Sequence, residues 1–203
     1  MKQLSGYVEN ITYRNEDNGY TVLTLSSGKK EIKCTGNFAY INEGEYLELE
    51  GEEVFHDIYG EQIKVISYEI VPASDEFSIR KYLGSGAVKG LGAVLADRIV
   101  NKFGEDTIRI IEEEPERLAE IRGITLRKAM DICEQIEERK DMRDVMIFLQ
   151  GYGISANLSN KIYKLYGIKV YDIIKTNPYR LADDIMGVGF KTADEIARRA
   201  GVE

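Results

Sequence analysis

From Gly90 to Leu181 the chain repeats itself at an offset of 63 residues: Gly90 aligns with Gly153, Leu91 with Ile154, Ile99 with Ile162, Phe103 with Tyr166, Gly104 with Gly167, Pro115 with Pro178, Arg117 with Arg180 and Leu118 with Leu181. Each copy holds a further half-repeat, so glycine-centred segments recur at Gly90, Gly123, Gly153 and Gly187, spaced by 33, 30 and 34 residues. A repeat of this length is one supersecondary unit used several times, each copy burying its apolar face against the next. The expected unit is a tight hairpin between two helices, with a helix of about ten residues following each glycine segment.

The clearest copies are Val88-Lys89-Gly90-Leu91-Gly92-Ala93-Val94-Leu95-Ala96-Asp97-Arg98-Ile99 and Ile185-Met186-Gly187-Val188-Gly189-Phe190-Lys191-Thr192-Ala193-Asp194-Glu195-Ile196. Glycines allow a sharp reversal and leave backbone N–H groups uncovered, while the apolar residue between them, Leu91 or Val188, anchors the turn in the helical core. The following helix starts with unpaired N–H groups and the positive end of its dipole, which together suit an anionic oxygen. Ala96 and Ala193 let the two helices approach closely, and Ile99 and Ile196 continue the buried face. This is the pattern of a helix-hairpin-helix motif, and a nucleic-acid phosphate is the anion that fits it. The middle copies carry Thr125 and Ser155 where the outer copies have the second glycine, and a hydroxyl there can cap the next helix.

The expected DNA-contacting residues are therefore Lys89, Gly90, Leu91, Gly92, Gly123, Thr125, Gly153, Ser155, Gly187, Val188, Gly189, Lys191 and Thr192. The first and fourth hairpins, which keep both glycines, should lead, and the fourth should dominate. Lys89, Arg98, Lys102, Arg127, Lys128, Lys191, Arg198 and Arg199 are candidates for a positive rim. Contacts made by backbone N–H groups read phosphates and not bases, so recognition should be independent of sequence and weakened by salt. A purely structural hairpin array is the competing reading of the same residues.

Residues 4–71 follow a different rhythm, alternating apolar and polar positions between turn signals at Asn18-Gly19, Ser27-Gly28-Lys29, Glu43-Gly44 and Tyr59-Gly60. Five strands are expected, over Ser5–Tyr13, Tyr20–Leu25, Glu31–Thr35, Tyr46–Gly51 continuing to Phe55, and Gln62–Ile70, with a single helical turn near Phe38–Ile41. Asn-Gly supplies the positive φ values that tight hairpins need. Five short strands fit an OB-like barrel better than a sandwich, with an SH3-like barrel as the alternative. The chain is thus expected to be α+β as a whole: an OB-like β-barrel over 1–73, then an all-α tandem helix-hairpin-helix domain over 74–203.

The net charge of −8 argues at first against a nucleic-acid partner, but the acidity is concentrated. Residues 1–73 carry 6 basic against 13 acidic side chains, and residues 74–203 carry 21 against 22. The barrel has aromatics in quantity, yet its acidic field repels a polyanion, so packing or protein contact is the favoured role over strand binding. Cys34 and Cys133 have no CxxC partner and His56 is the single histidine, which excludes a zinc site and a disulfide framework and makes both thiols reduced core residues. No run of apolar residues approaches the roughly 18 needed to span a bilayer, so no membrane partner and a cytoplasmic location are expected.

Catalytic constellations are missing from the sequence. Gly84-Ser85-Gly86-Ala87-Val88-Lys89-Gly90 lacks the Gly-Lys-Ser/Thr ending of a phosphate loop and follows no strand, and Glu112-Glu113-Glu114 reads as a solvated helix face. No cofactor is expected within these residues.

Beyond these readings, the strings Gly6-Tyr7-Val8-Glu9-Asn10-Ile11, Asn18-Gly19-Tyr20-Thr21-Val22, Thr35-Gly36-Asn37-Phe38 and Tyr59-Gly60-Glu61-Gln62 resemble the N-terminal barrel of the RecD-like (YrrC-type) DNA helicases. Tyr82-Leu83-Gly84-Ser85-Gly86, Lys89-Gly90-Leu91-Gly92, Pro115-Glu116-Arg117-Leu118, Asn177-Pro178-Tyr179-Arg180-Leu181 and Gly187-Val188-Gly189-Phe190-Lys191-Thr192-Ala193-Asp194 resemble their helix-hairpin-helix region. The resemblance implies a parent that is an ATP-dependent 5′-to-3′ helicase of superfamily 1 acting in DNA repair and recombination. Its ATP- and Mg²⁺-using motor domains would lie beyond residue 203, and its DNA would be single-stranded or forked. Two alternatives from other classes are an adaptor that docks a repair protein and an accessory subunit of a Holliday-junction motor.

Overall fold

The computed structural model describes residues 1–202. Two compact units divide the chain: the first is Met1–Arg14, Thr21–Gly36 and Ile41–Glu138, and the second is Asn15–Tyr20, Asn37–Tyr40 and Arg139–Glu203.

Strands β1 (Lys2–Arg14), β2 (Tyr20–Ser27), β3 (Lys30–Asn37), β4 (Tyr46–His56) and β5 (Gly60–Val71) close a barrel in the order β1-β2-β3-β5-β4. The alternation in the sequence becomes the inside and outside of this barrel: Thr21, Leu23 and Leu25 of β2 are buried, as are Leu47 and Leu49 of β4, with the residues between them more exposed. The long β1 serves both ends of the sheet, pairing through Lys2–Tyr7 with β4 and through Tyr7–Arg14 with β2. Gly6 stands where β1 passes from one partner to the other, and a methyl group there would lie 2.3 Å from the Ser26 carbonyl oxygen. A short parallel pairing of Cys34 with Ile63 and Thr35 with Lys64 completes the closure. The OB-like expectation is met, strand by strand.

Two local expectations fail. Phe38–Ile41 forms bends and no helical turn. All four residues are buried, and the Phe38 N–H donates across to the Gly19 carbonyl at 2.9 Å, tying the segment to the neighbouring loop. The Asn18-Gly19 turn is also wider than a two-residue hairpin. Gly19 has φ +73°, but no non-glycine residue among the described residues has positive φ, and the loop is closed by Asn15, whose N–H donates to the Tyr20 carbonyl at 2.8 Å and whose side chain accepts from Asp17 N–H at 2.9 Å.

Helices follow from Glu76: α1 (Glu76–Gly84), α2 (Ala93–Phe103), α3 (Thr107–Glu113), α4 (Leu126–Gly151), α5 (Ala156–Tyr166), α6 (Val170–Thr176), α7 (Arg180–Asp184) and α8 (Phe190–Ala200). The helix after the second hairpin, α4, runs 26 residues and not about ten, because no glycine or proline interrupts the chain between Gly123 and Gly151. Two separate apolar cores result. Ile79, Leu83, Leu91, Ile99, Ile111, Leu118 and Ile132 belong to one, and Leu149, Ile154, Ile162, Ile174, Leu181 and Ile196 to the other. No helix of the described residues is long and apolar enough to cross a membrane.

Candidate nucleic-acid interface

The four glycine segments form four hairpins, numbered 1 to 4 along the chain, and they are built on one plan. The residue between the glycine positions is buried in each case: Leu91, Ile124, Ile154 and Val188. Four places beyond the second glycine position stand Ala96, Ala129, Ser159 and Ala193, and seven places beyond it stand Ile99, Ile132, Ile162 and Ile196, all buried. A small residue and then an isoleucine at helical spacing seat each helix in its core. The first glycine of every hairpin needs its residue type, since φ is +80° at Gly90, +100° at Gly123, +77° at Gly153 and +109° at Gly187.

The second position behaves differently. Gly92 has φ −94° and Gly189 φ −84°, extended backbone open to any residue, and nothing lies within 4 Å of a methyl group placed on either. Ser155 occupies the same position of hairpin 3 with φ −63°, and its hydroxyl accepts from the Leu158 N–H at 3.4 Å. Thr125 of hairpin 2 accepts from the Lys128 N–H at 3.2 Å. Hydroxyls therefore cap α4 and α5, whereas no side chain caps α2 or α8.

Within each pair the hairpins are covered to different degrees by side chains from the other member. A methyl group on Gly90 would lie 3.6 Å from the Lys128 Cε, and one on Gly123 would lie 3.4 Å from Leu95 and 3.7 Å from the Arg98 guanidinium. In the other pair, Gly153 faces Arg199 at 3.0 Å and Gly187 faces Leu158 at 3.8 Å. Hairpins 2 and 3 thus hold a guanidinium of the protein against their first glycine. Hairpin 1 has the end of a lysine stem beside it, and hairpin 4 an aliphatic side chain.

The N–H inventory is narrower than the sequence suggests. In hairpins 1, 2 and 4 the residue between the glycine positions spends its N–H closing the turn, as Leu91 does on the Val88 carbonyl at 3.2 Å and Val188 on that of Ile185 at 3.1 Å. The Lys89 N–H is taken by Oε1 of Gln135, 46 residues away, at 2.8 Å. Donors for a ligand lie instead in the first turns of α2 and α8. The sequence missed Gln135 because nothing local marks it.

Lys89, Gly90, Gly92, Gly123, Thr125, Gly153, Ser155, Gly187, Gly189 and Lys191 are exposed, Thr192 is half-buried, and Leu91 and Val188 are buried. The structure brings Gly187, Gly189, Lys191 and Thr192 together at the start of α8, and Gly90 and Gly92 at the start of α2 beside Lys128. The expected positive rim is only partly available. Lys102 pairs with Glu120 at 2.7 Å, Arg199 with Glu195 at 2.8 Å, and Arg98 is held on the Arg122 carbonyl at 3.0 Å. Lys89, Arg127, Lys128, Lys191 and Arg198 make no ion pair among the described residues. Asp194, three residues beyond Lys191, accepts from the Tyr179 hydroxyl at 2.7 Å, a contact that pushes the Tyr179 phenol above its ordinary pKa.

Comparison with known families gives this geometry its context. Residues 1–72 match the OB-fold domain of the ATP-dependent DNA helicase YrrC, and residues 76–141 and 138–203 each match the helix-hairpin-helix domain of the ATP-dependent RecD2 DNA helicase. The chain belongs to the RecD2 DNA helicase family. A relative from Deinococcus radiodurans, an ATP-dependent RecD2 DNA helicase, is 27% identical over 207 residues. That alignment covers 98% of this chain and 28% of the relative. What the chain carries is the family's OB barrel and helix-hairpin-helix region.

Proposed function

We propose that these residues are the DNA-holding accessory region of an ATP-dependent 5′-to-3′ helicase of superfamily 1, serving DNA repair and recombination. Hairpins 1 and 4 grip the phosphate backbone without reading sequence, through the first-turn N–H groups of α2 and α8 beside Lys89, Gly90 and Gly92 and beside Gly187, Gly189, Lys191 and Thr192, while the buried Leu91 and Val188 anchor the turns. Hairpins 2 and 3 hold the fold, with Thr125 and Ser155 turned to capping. ATP and Mg²⁺ act in motor domains elsewhere in the parent, and the acidic barrel serves packing or a protein partner.

The observation that carries this reading is the conformation of Gly92 and Gly189. Folding does not require glycine at either, since both are extended and have open space around the missing side chain. Helix stability favours a hydroxyl at such a position, as Thr125 and Ser155 show. What glycine adds is access, because it leaves the first-turn N–H groups of α2 and α8 open to an outside anion.

Filter binding of the chain to single-stranded, duplex and forked DNA of scrambled sequences, at two salt concentrations, tests the proposal. Affinity should be alike across sequences and should fall with salt as expected for about two to four phosphate contacts. Binding that ignores salt, or none at low salt, would refute it. The chain alone should hydrolyse no ATP, and DNA-stimulated turnover would contradict the assigned division of labour.

A further inference from the structure

Hairpin 4 differs from the others in the residues that flank its glycines. The residue before the first glycine is Lys89, Arg122, Tyr152 or Met186 in hairpins 1 to 4, and the residue after the second position is Ala93, Leu126, Ala156 or Phe190. Tyr152 packs edge-on against Phe148 with ring centroids 5.1 Å apart, and Ala156 is buried. Met186 and Phe190, by contrast, are 91% and 69% exposed. Hairpin 4 alone therefore presents an exposed apolar residue on each side of its glycines. Single exposed apolar residues are common on protein surfaces and by themselves signify nothing. Here the pair brackets the uncapped start of α8, with Lys191 exposed beside it and free of any ion pair among the described residues.

The chemistry that suits both halves of this surface is a nucleotide. Its phosphate fits the Phe190 and Lys191 N–H groups with the Lys191 charge, and one sugar away it carries a flat apolar base. In a duplex those base faces are stacked inside the helix and out of reach, while in a single strand they are open to an aromatic ring. A thioether packs readily against such a face. We propose that hairpin 4 stacks an unpaired base on Phe190 and Met186 while it holds the adjoining phosphate, so that this hairpin selects single-stranded DNA. The inference rests on the reading that the hairpins hold DNA, and names the form of DNA that hairpin 4 takes.

The chain contains no tryptophan, so Phe190→Trp would place a single indole at the site. Titration of that variant with oligothymidylate should quench its emission, and a blunt duplex of similar length should not. Phe190→Ala should weaken single-strand binding by roughly 5- to 150-fold, the range for one lost stacking contact, with duplex binding and melting temperature unchanged. Lys191→Ala, which removes charge and leaves the apolar pair, should weaken both forms of DNA. Equal quenching by duplex would overturn the inference, as would equal loss of both affinities in Phe190→Ala. So would unchanged emission and affinity while Lys191→Ala still weakens binding, which would assign the apolar pair to a protein partner and leave the phosphate reading intact. No binding of any DNA by the unmodified chain would instead remove the reading on which the inference stands.

Discussion

The guanidinium of Arg98, on the helix that follows hairpin 1, donates to the backbone oxygen of Arg122 in hairpin 2 at 3.0 Å. The same guanidinium lies 3.7 Å from where a side chain on Gly123 would begin, so hairpin 2 already has a cation of the protein at the place where a bound phosphate would draw one. Thr125 completes the closure by accepting the Lys128 N–H. In the proposed reading, a hairpin occupied in this way contributes to the fold and not to DNA affinity.

Thr125→Ala should therefore lower stability by about 1 kcal/mol, the ordinary cost of losing a hydroxyl cap, and leave DNA binding unchanged. Denaturant unfolding and filter binding on the same preparation check both halves. A loss of affinity without a loss of stability would place hairpin 2 in contact with DNA.

The two glycines of hairpin 4 should separate fold from function. Gly187 has φ +109°, so Gly187→Ala forces a side chain into strained backbone and should cost about 1–3 kcal/mol of stability. Gly189 has φ −84° and open space around it, so Gly189→Ala should fold normally while the added methyl group crowds the first turn of α8 and weakens DNA binding. Thermal melts set beside affinities decide the matter. If Gly189→Ala destabilises as much as Gly187→Ala, the argument that glycine there serves access fails.

Acid sensitivity should centre in part on Asp75, the N-cap of α1. Its carboxylate accepts from the Ser78 hydroxyl at 2.6 Å and the Ser78 N–H at 2.9 Å, and these bonds hold its pKa below the usual value near 3.8. A carboxyl depressed in the folded state contributes stability that is present above its unfolded pKa and lost as pH falls through the folded one. Asp75→Asn should keep a cap at neutral pH and flatten the dependence of melting temperature on pH below that value. An unchanged acid profile would show that the cap is not a significant proton-linked group.

Much of this was legible in the sequence because the hairpins are governed by short-range rules. The 63-residue offset, the glycines and the residues Ala96, Ala193, Ile99 and Ile196 specify turn, close approach and buried face locally, and the β alternation did the same for the barrel. What escaped depends on distant partners. The Lys89 N–H is claimed by Gln135, and Arg98 crosses to hairpin 2, contacts that no spacing announces. Sequence could not distinguish Gly187, at positive φ, from the extended Gly189, though they are two residues apart, because φ depends on how the turn is closed. Phe190 does stand out in the sequence, as a large aromatic where hairpins 1 and 3 have alanine.

Diffuse charge and a specific hairpin make different demands on two lysines. Lys191 stands in the first turn of α8, beside Gly189 and Thr192, and Lys161 stands on α5 outside every hairpin; both are exposed. If binding followed net charge alone, either substitution by alanine would cost the same. In the hairpin reading only Lys191→Ala removes a phosphate contact, so it should weaken binding to all sequences alike and reduce the log–log salt slope by about 1. Lys161→Ala should leave both affinity and slope as they were. Measuring affinity across a salt series for the two variants and the unmodified chain makes the comparison, with scrambled oligonucleotides controlling for sequence. Equal losses from the two substitutions would mean that general charge carries the binding, and hairpin 4 would lose its assigned role.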